Sequence, residues 1–527
     1  NAMKRIILGV SLVLAVALVF VTVRAASSSQ EVEPRAAEAL VGTGFTYQGQ
    51  LQFDGVPVDA DCDMDFRLFD GTGFLARPVG DPISRVMPIR DGLFTVYLDF
   101  GSAAFRGSAR WLDIAVECPG DREPTVLGRQ ELTAAPFALY ALDAPWDGLP
   151  YAGVVIVAKS GGDYTTIHDA IDSISTATAE NPYLVWVAPG IYEEQVRMAP
   201  YVHVQGAGQG VTIITKSDSS VTLYLAAHTS LRDLTVINDS TLYDSYAVLA
   251  SASDNVTGTL VANVESRALQ SGTRSHGCTL DGADTSVTLL DVTAHAEGGT
   301  YNYALEVQNG ATAIVEGGSF TVADGGTLSY AIYSYGSGTT LEATDVRAVA
   351  ESTTAGNRGL YNSGRAALRG GLYAAHGNST AYGIHNSGSD AVLEAYSVTA
   401  EASGSLQTRG LANENGASAA LHGGSFTARD GSPTAGLYQS ATSSTLVANG
   451  ISALGEDAPV GSLNYGVQHG SGSCTITHSV LEGDYRSADT NGGTLRLSHT
   501  RLLGPVGGSP TCLGVSTETD FYTESCP

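Results

Sequence analysis

The fold this sequence predicts is all-β: a parallel solenoid of short strands preceded by a small antiparallel β-sandwich. Three observations carry that expectation. A three-residue phrase returns nine times: a planar or long polar residue, then Gly or Ala, then an aliphatic residue or Cys. It reads Tyr246-Ala247-Val248, His276-Gly277-Cys278, Tyr303-Ala304-Leu305, Tyr330-Ala331-Ile332, Arg358-Gly359-Leu360, Tyr382-Gly383-Ile384, Arg409-Gly410-Leu411, a degenerate Ala435-Gly436-Leu437, and Tyr465-Gly466-Val467. The small residues lie 30, 27, 27, 28, 24, 27, 26 and 30 positions apart. A repeat of that length is one coil of a solenoid, because each unit can bury its apolar face only against its neighbours. The composition is turn-rich rather than helical, with 62 glycines and 15% charged residues in 527 positions. Upstream of the repeats, apolar and polar residues alternate with a period of two, as half-buried strands do.

The elements follow in chain order. Met3-Lys4-Arg5 precedes an apolar run from Ile6 to Val23, and Val23-Arg24-Ala25 has small residues where signal peptidase reads. Residues 1–25 therefore read as a secretory signal, cleaved after Ala25, behind an Asn1-Ala2 expression scar. An uncleaved anchor is the alternative, although the run is at the short edge for spanning. No second apolar run follows, so no membrane contact is expected after cleavage. Residues 26–43, Ser-rich and then acidic, read as a linker. Residues 44–145 hold the period-two strands, among them Phe45 to Leu51, Asp65 to Asp70, Gly92 to Leu98 and Trp111 to Val116, separated by Gly and Asp. Several phrases here resemble a domain near the start of many large bacterial surface proteins: Phe45-Thr46-Tyr47-Gln48-Gly49, Gly92-Leu93-Phe94, Ala109-Arg110-Trp111-Leu112 and the run from Leu132 to Ala141. The resemblance implies a surface or appendage setting rather than a reaction.

After a Pro/Gly joint the solenoid is expected over residues 150–505. Val154 to Val157 reads as a buried strand, and Ile167, Ala170, Ile171 and Ile174 fall on one face of a helix. A helix there can plug the open end of a stack of parallel strands. Strands follow at Leu184 to Val187, Val202 to Val204 and Val211 to Thr215. From Lys159 to Gly210 the chain resembles the opening of pectinesterase and pectin-lyase-like right-handed β-helices. The matching phrases are Gly162-Asp163-Tyr164-Thr165-Thr166-Ile167 with Ala170-Ile171, Pro189-Gly190-Ile191-Tyr192-Glu193-Glu194, and Val204-Gln205-Gly206-Ala207-Gly208. The resemblance implies a right-handed parallel β-helix with coils of about 27 residues and an N-terminal capping helix. It is specific for fold and weak for activity. Residues 506–527 are expected to form a C-terminal cap.

Six cysteines in an exported chain permit disulfides. Cys62 and Cys118 share the N-terminal domain, and Cys512 and Cys526 share the C-terminus, so these are the expected pairs. Cys278 occupies the aliphatic slot of a repeat and reads as a buried thiol, and Cys474 reads likewise. The formal net charge is −27, with lysines only at 4, 159 and 216. That excludes nucleic acid as a partner, because phosphate binding needs clustered cations. An acidic polysaccharide would be repelled unless cations bridged it.

The repeats align into columns. Each aliphatic residue should stack inward on its copies, and the next residue should point outward. Asn362, Asn386 and Asn413, with Gln439 behind them, read as a hydrogen-bonded ladder. Strict alternation places the Tyr/His/Arg column inward, whereas a bend at Gly/Ala would place it outside. Tyr330, Arg358, Tyr382 and Arg409 of that column could line a groove for sugar rings. Tyr333, Tyr361 and Tyr438 in the outward column are the better glycan platform, as exposed aromatics. Asp59, Asp61, Asp63 and Asp65 share one strand face, and such a row repels itself unless a cation, with calcium the candidate, or solvent relieves it. No other cofactor is expected.

Catalytic constellations are largely missing. Of the pectinesterase phrases, only Gly190, Tyr192 and Glu194 match the first one. Where the family's Gln-Asp run would fall, this chain has Ser266-Arg267-Ala268-Leu269-Gln270. No Asp-Asp dipeptide occurs, and no lysine follows Lys216. The sequence thus favours a secreted, non-catalytic surface protein for adhesion, glycan binding or appendage structure, with polysaccharide or cell-surface glycan as partner. The alternative is a divergent pectinesterase-like carbohydrate esterase, which would need Asp, Arg and Gln clustered near Asp254 to Gln270. Assembly into homotrimers, as in spikes, stays open.

Overall fold

The computed structural model describes residues 45–132 and 151–527, except 54, 72–75, 102–103, 105–109, 122, 270–271, 324–325, 354–355 and 457–460. The expected signal (1–25), the linker (26–43) and most of the joint before residue 151 lie outside the described residues. The chain divides into two units, one ending at 148 and the other beginning at 149.

In the first unit, Phe45–Gln50 pairs antiparallel with Leu93–Leu98. A four-stranded antiparallel sheet runs in the order Ile83–Ile89, Ala60–Phe69, Trp111–Glu117, Thr125–Glu131. Period-two alternation decides which side chains are buried. Cys62, Met64, Phe66 and Leu68 point into a core shared with Phe94, Val96 and Leu98 of the other sheet and with Leu51 just after its first strand. Asp61 and Asp63 point out to solvent. Cys62 and Cys118 form a disulfide that closes 56 residues of chain.

The second unit is a parallel β-helix of about a dozen coils. Its first strand, Gly153–Val157, is followed by the helix Ile167–Asp172, which buries Ile167, Ala170 and Ile171. The Glu194 carboxylate accepts from the backbone N–H groups of Ile167 and His168, at 2.9 and 2.8 Å. It thereby satisfies two of the helix's unpaired N-terminal donors. Tyr192 is fully buried, and its hydroxyl donates to Ala188 O at 3.0 Å. Gly206 sits where a Cβ would lie 2.4 Å from Asp233 O. The shared opening phrases are therefore cap and packing residues.

Each coil contributes strands to three parallel sheets. Thr312–Glu316 pairs with Thr340–Thr344 in one sheet, and Ser319–Val322 pairs along Arg347–Ala350 in the second. The third has thirteen strands, from Val196–Arg197 to Val506–Gly507, and carries the repeated phrase. Its inward column runs Val196, Leu223, Val248, Cys278, Leu305, Ile332, Leu360, Ile384, Leu411, Leu437, Val467, Ala488, Val506. Cys278 and Cys474 are buried free thiols, and burial pushes each up to about 12.

The helix does not end at 505. Val506–Gly507, Thr511–Leu513 and Ser516 still pair in parallel with the preceding coil. Cys512 and Val515 continue the apolar core, so the stack gains another coil. Only Phe521–Tyr522 reverses, pairing antiparallel with Val515–Ser516. The Cys512–Cys526 disulfide closes this last segment.

Candidate functional site

The alternatives left open for the Tyr/His/Arg column are decided by a bend. Ala304 and Leu305, adjacent in sequence, both lie in the core, as do Ala331 and Ile332. The small residue turns inward with the aliphatic one, and the residues on either side turn outward together. A Cβ at Gly383 would lie 2.7 Å from both Glu401 N and Gly410 O and 2.9 Å from Tyr373 O. The backbones of two sheets meet there, which is why the slot takes small residues, Gly or Ala in the nine repeated phrases and Thr222 and Ser487 in two further coils.

Two columns consequently stand side by side on the outer face of the thirteen-stranded sheet. The first runs Tyr246, His276, Tyr303, Tyr330, Arg358, Tyr382, Arg409. The second runs Arg197, Tyr224, Leu249, Thr279, Glu306, Tyr333, Tyr361, His385, Ala412, Tyr438.

Ring faces stack along the first column. Tyr246 and His276 are 4.2 Å apart at 15°, His276 and Tyr303 5.0 Å at 11°, and Tyr303 and Tyr330 5.3 Å at 1°. Guanidinium groups continue the stack, with Arg358 over Tyr330 and Tyr382 at 5.2 and 5.4 Å. Arg409 lies 5.5 Å from the Tyr382 ring and 3.2 Å from that of Tyr438. Each such contact contributes on the order of 1 kcal/mol beyond burial.

Most charged groups of the columns meet polar partners within the face, and Arg358 meets a histidine rather than a carboxylate. Arg358 Nε donates to His385 Nδ1 at 3.0 Å, and His385 Nε2 lies 2.9 Å from Glu414 Oε2. An arginine can only donate, so His385 accepts at Nδ1 and carries its proton on Nε2. Arg409 Nη1 completes the Glu414 carboxylate at 2.8 Å. Burial pushes Glu414 upward, but the His385 bond and Arg409 outweigh it and hold the carboxyl below the usual range. Burial, aided by Arg358 and Arg409, holds His385 below its ordinary value against the pull of Glu414. We take the pair as neutral imidazole and carboxylate. At the other end, His276 Nδ1 lies 2.9 Å from Glu306 Oε2, both nearly buried, in a close contact without hydrogen-bond geometry. Thr279 Oγ1 donates to the same oxygen at 3.2 Å. Burial also raises Tyr246, Tyr303, Tyr330, Tyr333, Tyr361 and Tyr382, so these phenols stay protonated.

The picture of freely exposed rings needs correction. Tyr333, Tyr361 and Tyr438 are half-buried, while Tyr330, Tyr382 and Arg409 are buried. Tyr333 stacks between Tyr361 (5.2 Å, 19°) and Tyr335 (5.4 Å, 12°). The face of Tyr438 is taken by Arg409. What the surface offers is phenol edges and hydroxyls, not open ring faces. Tyr335, 46% exposed, is the ring most open to solvent here. His276, Glu306 and His385 fall in the repeat's columns without a binding role read from the sequence, and Glu414 and Tyr335 were not singled out. Extending the repeat alignment three residues past the aliphatic position would have placed Glu414 and Tyr335 in one column. The asparagine ladder is present: Asn362 Nδ2 donates to Asn386 Oδ1 and Asn386 Nδ2 to Asn413 Oδ1, both at 2.8 Å.

Three of the four aspartates in the row have protein partners. Arg90 lies 2.8 Å from Asp61 and 3.8 Å from Asp59, Arg67 lies 3.8 Å from Asp65, and Ser84 donates to Asp65. Among the described residues no three His, Cys, Asp or Glu side chains are grouped to hold a metal ion. A cleft of about 270 Å³ beside Glu193, Asp218 and Asp239 contains Lys216, tied to Asp218 at 2.8 Å. Near the expected enzyme position, Arg197 meets Asp254 at 3.0 Å and lies 3.9 Å over the Tyr224 ring. Arg274 grips Asp244 with two bonds of 2.6 and 2.8 Å. Each acid is thus matched by its own arginine. Ser266 and Ala268 point inward, and Glu265 accepts from Thr235 at 3.0 Å.

Comparison with known proteins adds the following. Residues 46–133 match a domain family of unknown function, DUF8740. A pectinesterase of Aspergillus aculeatus is 49% identical over 65 residues, which is 12% of this chain and 19% of that protein. A pectinesterase of Aspergillus niger is 35% identical over 98 residues, 18% of this chain and 29% of that protein. The chain thus spans less than a third of the length of these curated relatives. Among solved structures, the A-module of a mannuronan C-5 epimerase, AlgE6, from Azotobacter vinelandii is similar at TM-score 0.42 and 14% identity, over 67% of this chain and 94% of that one. Pectin methylesterase from carrot is similar at TM-score 0.31 and 15% identity, over 46% and 73%. The second unit is a parallel β-helix, and part of the chain is similar in sequence to pectinesterases. Among the described residues no helix is long and apolar enough to cross a membrane.

Proposed function

We propose that this protein is a secreted, non-catalytic cell-surface β-helix protein that binds glycan through the outer face of its thirteen-stranded sheet. The observation that carries the reading is the paired column of tyrosine, histidine, arginine and glutamate spanning residues 246–438. A structural rod has no need of phenol edges and hydrogen-bonded polar groups on its outside, whereas recognition of a polyhydroxylated ligand does. The apolar N-terminal run supports export, and the surface-protein resemblance of the first domain supports an adhesive or appendage role. The missing pectinesterase phrases support a binding rather than a catalytic use of the fold.

A second reading, a divergent polysaccharide esterase, is favoured by Arg197, Asp254 and Tyr224 beside the segment most similar to pectinesterases. Two measurements on the full chain separate them. A glycan array should show binding that falls when Tyr333 and Tyr361 are both changed to Ala. A methyl-ester hydrolysis assay on esterified polysaccharide should show no turnover above a blank. Turnover that disappears in Asp254→Asn would replace the binding reading with the enzymatic one.

A further inference from the structure

We infer that the glycan bound by this face carries an isolated anionic group, a carboxylate or a sulfate ester, and that Arg358 is the residue that receives it. This rests on the glycan-binding reading above. The first observation is an exception among the arginines of the thirteen-stranded sheet. Its strands hold five, and four of them meet a carboxylate. Arg197 lies 3.0 Å from Asp254, Arg274 2.6 Å from Asp244 and Arg409 2.8 Å from Glu414, and Arg486 is paired with Asp489. Among the described residues Arg358 has no such partner. Its Nε donates at 3.0 Å to His385, which accepts at Nδ1 and is neutral. The histidine therefore anchors the guanidinium without cancelling its charge.

The second observation is that the guanidinium is held ready for a ligand. It lies between the Tyr330 and Tyr382 rings, 5.2 and 5.4 Å from their centroids, and the residue is half-buried rather than covered. Nη1 is shielded from water and donates to nothing in the protein. Such an unmade hydrogen bond is costly, and an oxygen supplied by a ligand removes the cost. Reaching Nη1 takes a side-chain rotamer change on the face, an adjustment common on binding. A clamped arginine loses little freedom when it binds, and its fork suits the oxygens of a carboxylate or sulfate.

The third observation limits the ligand to an isolated charge. Arg358 pairs in register with Tyr330 and then Tyr303 on one side, and with Tyr382 and then Arg409 on the other. Two coils away on the first side, roughly 10 Å at one strand spacing per coil, Glu306 meets His276 and Thr279 but no arginine. Two coils away on the second side, Arg409 is already taken by Glu414. A second anion along the ligand would thus meet repulsion or a cation already neutralised, within about one Debye length of Arg358. The net charge of −27 adds a general repulsion that grows with each further anion.

The test is a glycan array probed with the full chain. It carries neutral oligosaccharides, the same oligosaccharides bearing one sialic acid, one glucuronic acid or one sulfate ester, and tetragalacturonate. Singly acidic members should bind about tenfold more tightly than their neutral parents, the factor one hydrogen bond to a charged group supplies. They should also bind more tightly than tetragalacturonate. A preference confined to the carboxylated or to the sulfated members supports the inference and names the group. Arg358→Gln should erase the preference while neutral parents bind as before, which also shows that the variant is folded. Arg358→Lys should restore part of it, because charge returns without the fork. In the natural protein the preference should shrink as salt rises, with neutral parents indifferent. The inference falls if neutral parents bind as tightly as their acidic counterparts, if Arg358→Gln keeps the preference, if salt leaves it unchanged, or if tetragalacturonate binds as tightly. Absence of binding to every glycan removes the glycan-binding reading itself.

Discussion

Replacing Asn386 tests whether the ladder is a structural requirement of these coils or an interchangeable filling. Asn386 is fully buried in the column that continues from Leu280, Val307 and Ser334. Its amide donates to Asn413 Oδ1 at 2.8 Å and to Ser418 O at 2.9 Å, and its Oδ1 accepts from Asn362 at 2.8 Å. Asn386→Ala deletes all three. Asn362 keeps bonds to Gly364 O and Val392 O, at 3.1 and 3.3 Å, so its loss is partly covered. Asn413 Oδ1 loses a donor in a place water cannot reach, and Ser418 O loses one at a partly buried position. Two weakened acceptors and one lost donor interaction sum to about 2–4 kcal/mol. Asn386→Leu restores volume and matches Leu280 in the same column, so it should cost less than Ala yet remain destabilising by about 1–2 kcal/mol, the penalty of the abandoned carbonyl. A solenoid need not unfold in one step, so the assay is native-state hydrogen exchange. Protection should fall in coils from about residue 357 to 420 and much less beyond, because stability in a repeat array is a nearest-neighbour property. If Asn386→Leu exchanges like the natural protein, the carbonyls do not need the amide and the reasoning fails.

Other outcomes follow from the same geometry. Gly383→Ala should cost about 1–3 kcal/mol by forcing two sheet backbones apart, whereas Ala331→Gly in the equivalent slot should cost only ~0.5–1 kcal/mol; thermal melts of the two compare them. Acid should destabilise the β-helix in two stages. Burial and then the Arg232 charge hold His203 down to about 4 from 6.5, so its contribution is complete above pH 6.5 and is lost as pH falls toward about 4. That contribution is roughly 2 kcal/mol after allowance for the half-buried ring, and His203→Gln should flatten the pH–stability curve in that window. Glu414, held below the usual carboxylate range, adds a further loss only under more acidic conditions, below about pH 4. Reducing Cys512–Cys526, whose loop spans 14 residues, should release up to about 3 kcal/mol of constraint on the last coil, seen as protease cleavage near the C-terminus while earlier coils resist.

Legibility in the sequence followed the range of the interaction concerned. The coil period, the inward aliphatic column, the asparagine ladder and the capping helix were all legible, because each repeats or has a local periodicity. Cys278 shows this well: its slot in the phrase was enough to mark it as a core thiol. The outer face was less legible. Whether Tyr330 and Arg358 pointed in or out depended on a bend at one small residue, and alternation alone gives either answer. That Tyr333 and Tyr361 would cover each other's faces depended on ring rotations set by neighbours one coil away. The partners His276–Glu306 and His385–Glu414 lie 30 and 29 positions apart, within the spread of the repeat, but no motif links them. The C-terminal boundary was misplaced because Cys512 and Val515 continue the core after the phrase itself has stopped.

By itself, then, the sequence determined a stack of parallel coils with a plugged start, because burying a repeated apolar stripe has one economical solution. Only the tertiary structure decided what that stack presents to its surroundings. Side chains on the outside of a solenoid are positioned by the coils above and below them, through stacking and charge pairing that a linear chain does not order in advance.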